Sequence, residues 1–396
     1  NILEHTSGQK VYDWTIPKEW NIRDAWIKNS KGEKIIDFKL SNLHVVGYST
    51  PIHKKVNLSE LNNNIHYLKN IPDAIPYLTS YYDENWGFCV SYNQYLDLFN
   101  KDEEYEVFID SKLDNGSLTL GELLIKGKSK KEYLLSCYIC HPSMANDSLS
   151  GVITTAFIAQ ELLKLKGTLE HSYRIVFVPE TIGAIVYCAK NENEIKSIDK
   201  ALVITTCGGP GQYGYKQSWD ETSLINTMVE DVFRNNELDY EVYPFNIHGS
   251  DERQYSSPGF RVNCVTITKD KYYEYEYYHT SLDNLEFVTS VNINKSVNLY
   301  LQLINKMDKD IILNNKNPHC EVMLSKHDLY PKIGGALRPL DLKNGKTHLD
   351  IILELLFYCD GEIGLYELSI QLDVDLNTLY DIGINLIDKD VLEVVN

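Results

Sequence analysis

Two histidines and three carboxylates have the side-chain types and the positions along the chain that metal-dependent chemistry needs. Each belongs to a short polar segment that follows an apolar run typical of a β-strand. Imidazole nitrogens and carboxylate oxygens are common ligands of a catalytic Zn²⁺ that keeps one coordination position open to water. A further carboxylate at hydrogen-bond distance can take the proton from that water. The five candidate residues are His141, Asp147, Glu180, Asp251 and His279.

Each of these residues also has a simpler structural interpretation. A histidine at the end of a strand is more often packed than bound to a metal, and Asp147 could cap the helix that follows it. Glu180 could be present only because a carboxylate is favourable near a helix N-terminus, and Asp251 could cap a loop. The shared position at strand ends, together with both types of ligand, favours one common site.

Strands and helices alternate from about Glu132 onward, and this alternation decides where the candidates lie. It predicts an α/β fold in which a mainly parallel sheet is flanked by helices. Such sheets place their sites just beyond the carboxyl ends of the strands. The predicted strands are 133–139, 173–178, 201–206 and 262–268, and the predicted helices are 149–165, 182–191, 223–234 and 289–306.

Two further regions differ in pattern from this α/β part. Residues 35–125 contain short apolar runs separated by Pro, Gly and Asn, which predicts a β-rich insertion with one short helix over 58–68. The C-terminal residues have the succession of helices, tight turn and short strand expected of a winged helix. The predicted domains are an α/β domain of residues 1–34 and 126–330, an inserted β-rich domain of 35–125, and a winged-helix domain of 336–396.

The tyrosine-rich segment at 271–279 ends on one of the candidate ligands. Its partial alternation of charged and aromatic residues predicts a strand with one solvent-exposed face. The alternative is an aromatic platform that lines the site and stacks on a sugar or on a side chain.

Charge and cysteine content restrict the class of protein. The chain has 38 Lys and Arg against 56 Asp and Glu, a net charge of −18, which disfavours nucleic acid and anionic membrane surfaces as partners. The eight cysteines lie mostly in apolar runs, which predicts reduced thiols in a cytoplasmic protein. Cys137, Cys140 and His141 have the spacing of a c-type haem attachment site. We reject that interpretation because the segment ends a buried-type apolar run and His141 has a better use as a ligand.

The helix-turn-helix pattern near the C-terminus suggests a DNA-binding regulator, but its charge argues against one. Residues 336–396 contain four Lys or Arg and twelve Asp or Glu. A surface that faces phosphates needs the opposite sign. We therefore predict that this region does not bind DNA and packs on the rest of the chain or on another subunit, so a homo-oligomer stays open.

The polar segments resemble motifs of zinc aminopeptidases of the bacterial leucyl-aminopeptidase type, which are relatives of glutaminyl cyclase and glutamate carboxypeptidase. Residues 146–151 match Asn-Asp-x-x-Ser-Gly, and 278–283 match Tyr-His-Thr-x-x-Asp. Residues 180–183 match Glu-Glu-x-Gly in part, and 250–252 match Ser-Asp-His in part. The resemblance implies a zinc-exopeptidase-like fold with a mixed, mainly parallel sheet, and a cis peptide after Asp147.

The whole chain more closely resembles a bacterial group of aminopeptidase-like proteins from polysaccharide-biosynthesis loci. The segments that carry this similarity are 13–21, 80–89 and 140–147. The resemblance implies an aminopeptidase-like domain, an inserted β domain and a C-terminal winged helix.

Two departures from the aminopeptidase motifs affect the expected metal content. The second Glu of Glu-Glu is Thr181, and no carboxylate stands near 205–208, where a further ligand is implied. One Zn²⁺ is therefore expected rather than two. Its implied ligands are His141, Asp147 and His279.

The expected function is that of a metal-dependent hydrolase that cleaves an amide bond in a small peptide or in an acylated amino sugar, with a role in polysaccharide biosynthesis. Glu180 is the expected general base, and its use as a fourth ligand stays open. Asp251 is expected to orient a ligand or to hold the amine of the substrate. The alternative is a non-hydrolytic binding protein, or an acyl-transfer relative, that uses the same metal pocket.

Overall fold

The computed structural model describes residues 1–246, 248–330 and 345–395, and its largest element is a mixed eight-stranded sheet. Four neighbouring strands at the centre run parallel, and both outer parts of the sheet include antiparallel pairs. In spatial order the strands are Ile2–Thr6, Ser117–Ile125, Ser172–Val178, Glu132–Tyr138, Lys200–Val203, Asn263–Lys269, Tyr213–Lys216 and Tyr240–Tyr243.

Helices cover both faces of this sheet, so its central strands are buried on both sides, as is usual for parallel strands. This confirms the prediction of a mixed, mainly parallel sheet flanked by helices. Within the described residues, each helix is too short or too polar to cross a lipid bilayer. The helices of this part are Gly151–Lys164, Ile182–Lys190, Glu192–Ser197, Leu224–Asn235, Glu252–Tyr255 and Ser290–Lys309.

A second sheet of four antiparallel strands has its own apolar core. It takes in a strand that begins at Glu19, ahead of residue 35, whereas residues 117–125 pair in the main sheet. The predicted division into domains stays a prediction. In spatial order the strands are Lys34–Asp37, Glu19–Lys28, Glu104–Asp114 and Ile52–Asn57. The smaller elements of this part are the strands Ile65–His66 and Phe88–Cys89, and the helices Asn42–His44, Leu58–Leu61 and Tyr92–Leu98. The paired strands Lys10–Val11 and Trp14–Thr15 pack instead on the main sheet, because Val11 belongs to its buried cluster.

The predicted helix over 58–68 is wrong beyond its first turn. Asn57 caps the helix by accepting a hydrogen bond from the N–H of Glu60, but the helix ends at Leu61. Three consecutive asparagines follow, and asparagine side chains compete with the helical backbone for hydrogen bonds.

The C-terminal region packs on the α/β part, because apolar side chains of both belong to one buried cluster. Residues 336–344 of the predicted winged-helix domain lie outside the described residues, and the winged-helix assignment stays a prediction. The elements of this region are the paired strands Ile312–Asn315, Asp360–Gly364 and Leu392–Val394, and the helices Leu324–His327, His348–Tyr358, Leu365–Leu372 and Leu376–Asp388.

Candidate metal centre

His141, Asp147 and His279 come together beyond the carboxyl ends of the central strands. His141 follows strand Glu132–Tyr138, Asp147 lies in the turn after it, and His279 lies in the loop after strand Asn263–Lys269. One possible ligand atom of each side chain lies within 4.8 Å of the other two. The three residues that the sequence indicates as ligands are thus neighbours, and their binding of a metal stays a prediction.

The buried carboxylate of Asp147 has a separate neighbour for each oxygen. The Tyr138 hydroxyl donates a hydrogen bond to Oδ1, and the Thr205 hydroxyl donates to the Tyr138 oxygen at 2.7 Å. Nε2 of His279 lies 3.0 Å from Oδ2, yet it has no hydrogen-bond partner of acceptable geometry. Nε2 of His279 and Oδ2 of Asp147 therefore face the same space without bonding to each other, as two ligands of one cation do.

Asp283 holds the turn that carries Asp147. Its carboxylate accepts hydrogen bonds from the N–H of Asn146 at 2.6 Å and from the N–H of Asp147 at 3.0 Å. Its carbonyl accepts from the N–H of Ala145 at 3.0 Å. The peptide bond between Asp147 and Ser148 is cis, as the resemblance implied. Asp283 therefore acts on the site by positioning Asp147, a role that the sequence analysis missed.

The residues around Asp147 in its motif fix the turn against the neighbouring strand. The side-chain oxygen of Asn146 accepts a hydrogen bond from the N–H of Gly208 at 2.9 Å. A Cβ atom on Gly151 would lie 2.3 Å from the carbonyl oxygen of Ile204, so only glycine allows this close approach. These motif residues are structural, and they explain why the carboxylate stands at this spacing.

The two candidate ligands His141 and Asp147 have the protonation states that metal binding needs. Burial lowers the pKa of His141, a shift that the charge of Asp147 opposes and that of His279 reinforces. For Asp147, burial alone would raise the pKa, but His279 and His141 outweigh burial and lower it. At neutral pH the imidazole is neutral and the carboxylate is ionised, as a metal ligand must be.

Glu180 lies beside the three candidate ligands and not among them. Its Oε2 is 3.8 Å from Nε2 of His141, but its oxygens do not fall within the 4.8 Å group. Burial raises the pKa of Glu180 to about 8, and the negative charges of Asp251 and Asp147 add to this shift. A cation bound nearby would act in the opposite direction by favouring the carboxylate.

Asp251 is fully buried next to the turn that carries Glu180. Its Oδ1 accepts the backbone N–H of Thr181 at 2.7 Å, and its Oδ2 has no hydrogen-bond partner. Thr181 has a φ of 63°, a left-handed conformation that is an outlier for a β-branched residue. Burial raises the pKa of Asp251 to about 7, and the charge of Glu252 adds to it. Asp251 therefore contacts the backbone beside Glu180.

Threonines occupy the two regions where the resemblance implies further carboxylate ligands. The Thr181 hydroxyl accepts a hydrogen bond from Arg253 at 3.3 Å, and the Thr205 hydroxyl is engaged by Tyr138. Across the described part of the chain, one group of three or more His, Cys, Asp and Glu side chains is close enough to share an ion.

Tyr77, from the inserted region, packs against two of the candidate ligands. Its ring centroid lies 5.4 Å from that of His141 and 5.1 Å from that of His279. Its N–H donates to the carbonyl of His279 at 2.8 Å, and the N–H of Ser281 donates to the carbonyl of Ile75 at 2.9 Å. No pattern around residue 77 signals this role, because the contact joins segments that are far apart in the chain.

The predicted strand at 271–279 is wrong, because this segment forms successive turns. Tyr273 and His279 have φ values of 67° and 53°, which no strand accommodates. The Tyr278 ring stacks on that of His279, with centroids 3.9 Å apart. The aromatic residues of this segment pack around the loop that carries a candidate ligand.

Comparison with known proteins places the chain among aminopeptidase-like proteins. Residues 1–310 match the family described as a domain of unknown function, DUF4910. A protein of Clostridium acetobutylicum, named for polysaccharide biosynthesis and an aminopeptidase-like domain, is 46% identical over 335 residues, which are 85% of this chain and 76% of that protein. This similarity confirms the closer resemblance that the sequence suggested.

Two solved structures extend this similarity to the fold. A candidate peptidase from Clostridium acetobutylicum has a TM-score of 0.84 and 40% identity, with 100% of this chain and 88% of that chain covered. A zinc aminopeptidase from Bacillus subtilis has a TM-score of 0.55 and 11% identity, with 78% of this chain and 84% of that chain covered. The second likeness shows a shared fold and confirms the prediction of a zinc-exopeptidase-like architecture.

Proposed function

The chain belongs to the DUF4910 family, and from this membership and the geometry of its site we propose that it is a metal-dependent hydrolase that cleaves an amide bond. The observation that carries the proposal is the convergence of His141, Asp147 and His279 beside the partly buried carboxyl group of Glu180. The relatives support a hydrolase of the peptidase type, since one is named for an aminopeptidase-like domain and another is a candidate peptidase.

The three converging side chains fit a single Zn²⁺. Two imidazoles and one carboxylate are a ligand set of the size found at catalytic zinc sites, which keep a further position open. Nε2 of His279, without a hydrogen-bond partner, is accounted for by a metal bond. When bound, Zn²⁺ supplies Lewis-acid polarisation of a carbonyl and lowers the pKa of a neighbouring water. A second ion would lack carboxylate ligands at Thr181 and Thr205, and we therefore favour one ion.

Glu180 is the proposed general base. Its carboxyl lies at the edge of the ligand group, where it can accept the proton of an attacking water and pass it to the leaving amine. Asp251 accepts a hydrogen bond from the backbone N–H of Thr181, the residue that follows Glu180, and in this way fixes the backbone beside the proposed base. This assigns Asp251 to positioning, and leaves contact with the substrate amine as the alternative.

The proposed substrate is a small peptide or an acylated amino sugar, in a cytoplasmic pathway of polysaccharide biosynthesis. The name of the Clostridium acetobutylicum relative supports the link to polysaccharides. Nucleic acid and membrane surfaces are excluded from the proposed partners on the net charge of −18.

The substitution Glu180→Gln tests this function because it keeps the size of the side chain and removes its basicity. We expect zinc content near that of wild type and turnover reduced by at least about 10²-fold, the lower end for general-base catalysis. The measurements are metal content by mass spectrometry and hydrolysis of a panel of aminoacyl anilides and N-acyl amino sugars. Glu194→Gln, on an exposed helix, is the matched control and should have wild-type values.

Three outcomes would contradict parts of this proposal. Loss of zinc in Glu180→Gln would make Glu180 a ligand and place the base elsewhere. Full activity with zinc bound would refute the mechanism. Zinc binding by the wild type without hydrolysis of any amide in the panel would favour the non-hydrolytic or acyl-transfer alternative.

A further inference from the structure

A row of aromatic rings joins strand Glu19–Lys28 of the second sheet to the inserted region. The centroids of Trp20 and Tyr48 are 6.0 Å apart with 18° between the ring planes, and those of Tyr48 and Tyr81 are 5.8 Å apart with 13° between planes. Tyr81 and Tyr82 continue the row at 6.3 Å and 20°. The ring planes are thus nearly parallel along the whole row.

Tyr48, Tyr81 and Tyr82 of this row line a cleft of about 290 Å³, which is large enough for one sugar unit. The rings of Tyr81 and Tyr82 are partly exposed there, at 37% and 46%. Asp83 and Glu84 also line the cleft, and both are exposed to solvent. Lys18 adds a hydrogen-bond donor.

Tyr81 connects this cleft to the metal centre. Tyr77 packs against His141 and His279, and Tyr81, four residues further along the same segment, lines the cleft, so at most about 14 Å of chain separates the two. Tyr48 and Tyr81 have φ values of 66° and 51°, in the left-handed region that bulky residues rarely adopt. Such conformations concentrate at functional sites, where the surrounding structure holds them in place.

We propose that this cleft binds a pyranose ring, so that the scissile amide joins an acyl or aminoacyl group to an amino sugar. The inference rests on the proposed function and narrows its substrate class. The C–H face of a pyranose packs on aromatic rings, and its hydroxyls both donate and accept hydrogen bonds. Mixed acceptors and donors such as Asp83, Glu84 and Lys18 match hydroxyls of that kind. The relative named for polysaccharide biosynthesis supports the same class.

The test is a titration of the full chain with N,N′-diacetylchitobiose, followed by tryptophan fluorescence. We expect saturable binding that Tyr81→Ala and Tyr82→Ala each weaken by about three- to tenfold, the range for one aromatic contact. Phe357→Ala is the matched control, because Phe357 is 81% exposed and lies outside the cleft. Absence of binding, equal binding by Tyr82→Ala, or displacement of the sugar by a stronger-binding aromatic dipeptide would overturn the inference.

Parallel measurement of sugar binding and amide hydrolysis by the wild-type protein separates this inference from the proposed function. Sugar binding by a wild type that hydrolyses no amide would refute the hydrolase and keep the cleft. Hydrolysis of aminoacyl anilides by a protein that binds no sugar would keep the hydrolase and refute the cleft.

An independent observation concerns Cys140, whose sulfur lies between a candidate ligand and the proposed base. Its Sγ is 3.4 Å from Nδ1 of His141 and accepts a hydrogen bond from the N–H of Glu180 at 3.1 Å. Nε2 of His141 faces Glu180, so Nδ1 is the nitrogen left to contact the sulfur.

We infer that Cys140 is a positioning residue for both His141 and Glu180. A metal-bound histidine donates its other ring N–H to an acceptor that fixes the tautomer and the ring orientation. Here the acceptor is a sulfur atom, and the same atom holds the backbone of Glu180. The inference rests on His141 being a ligand, and it accounts for a cysteine beside that histidine.

Zinc affinity, measured by competition with a chelator, tests this role. We expect Cys140→Ala to weaken zinc binding by about 10- to 100-fold, as removal of such acceptors does, and Cys140→Ser to restore part of it. Cys137→Ala, an equal truncation at a buried strand position, should change the affinity by less than about twofold. Thermal unfolding of the metal-free variants controls for a loss of folded protein.

Wild-type affinity in Cys140→Ala, or no difference between the alanine and serine variants, would overturn the role of Cys140. If the wild type binds no zinc, the proposed function fails first, and Cys140 then has no ligand to position.

Discussion

The α/β core and the inserted region differ in the kind of residue that each brings to the candidate site. The core brings buried, ionisable side chains with assigned hydrogen-bond partners, such as Asp147 and Asp283. The inserted region brings partly exposed rings, such as Tyr81 and Tyr82, beside carboxylates that are open to solvent. Chemistry needs groups that are preorganised and shielded from water, whereas recognition needs surface that a substrate can cover. We therefore propose that the core carries out the reaction and that the insertion recognises the substrate.

The largest expected effect comes from removing a ligand from the core. Asp147→Asn loses the charged oxygen that faces His279, and we expect zinc affinity to fall by about 10²- to 10³-fold, since structural zinc sites distribute about 10–16 kcal/mol over four ligands. Competition with a chelator measures this loss. Asp83→Asn makes the same chemical change in the insertion and should keep the wild-type zinc affinity. Equal losses in both variants would break the comparison.

A second effect of the core carboxylates is on stability, and its sign follows from the raised pKa of Asp251. The folded protein keeps the Asp251 proton up to about pH 7, whereas the unfolded chain loses it near pH 4. The free energy of unfolding of the metal-free protein should therefore fall as pH rises between these values. Asp251→Asn removes this pH-dependent loss of stability, and we expect the variant to gain about 3 kcal/mol on wild type from pH 4 to pH 7.

Chemical denaturation in the presence of a chelator, at several pH values, measures this difference. Asp83→Asn again serves as the control and should follow the wild-type pH dependence. A constant difference between Asp251→Asn and wild type across this range would show that the carboxyl group is not held protonated by burial.

A smaller effect is expected when the insertion loses an aromatic contact. Tyr77→Ala removes the ring that packs on His141 and His279, and we expect KM for the best substrate to rise by about three- to tenfold. Tyr77→Phe keeps the ring and should behave as wild type. Zinc affinity is measured in parallel and should change by less than about twofold. A larger change in zinc affinity would mean that the inserted region also helps to hold the metal ligands, which would contradict the separation of roles between the core and the insertion.

The smallest expected effect is that of DNA on the C-terminal region. Its excess of acidic residues predicts no measurable binding to a mixed duplex at low salt, where electrostatic attraction is greatest. Fluorescence anisotropy of a labelled duplex measures this directly. Replacement of the exposed Asp381 and Asp388 by lysine provides the comparison of opposite charge. Micromolar binding of the duplex by the wild type would contradict this prediction and would show that the C-terminal region binds DNA.

The parts of the site that could be predicted are those in which local sequence dictates local geometry. The motif around Asp147 was recognisable because its other residues have local structural roles. Asn146 holds the turn, and Gly151 allows the following helix to approach the neighbouring strand closely. The strands of the core were predictable because buried parallel strands are continuous apolar runs. The extent of the helix predicted over 58–68 was wrong because three asparagines end the helix after Leu61. The strand predicted over 271–279 was wrong because its turns contain the same alternation of charged and aromatic residues as a strand.

The sequence by itself determined the residue types available for chemistry, their order, and the strand ends that precede His141, Asp147 and Glu180. Covalent spacing is sufficient for this, because the period of a strand and the turn that follows it are local properties. Only the tertiary structure decided that Asp283 holds the Asp147 turn, that Cys140 contacts His141 and the Glu180 backbone, and that Tyr77 packs on the histidines. The contacts of Asp283 and Tyr77 join segments that are distant in the chain. Their formation depends on the packing of whole sheets and loops, so the motif at 278–283 contains Asp283 without revealing which backbone it holds.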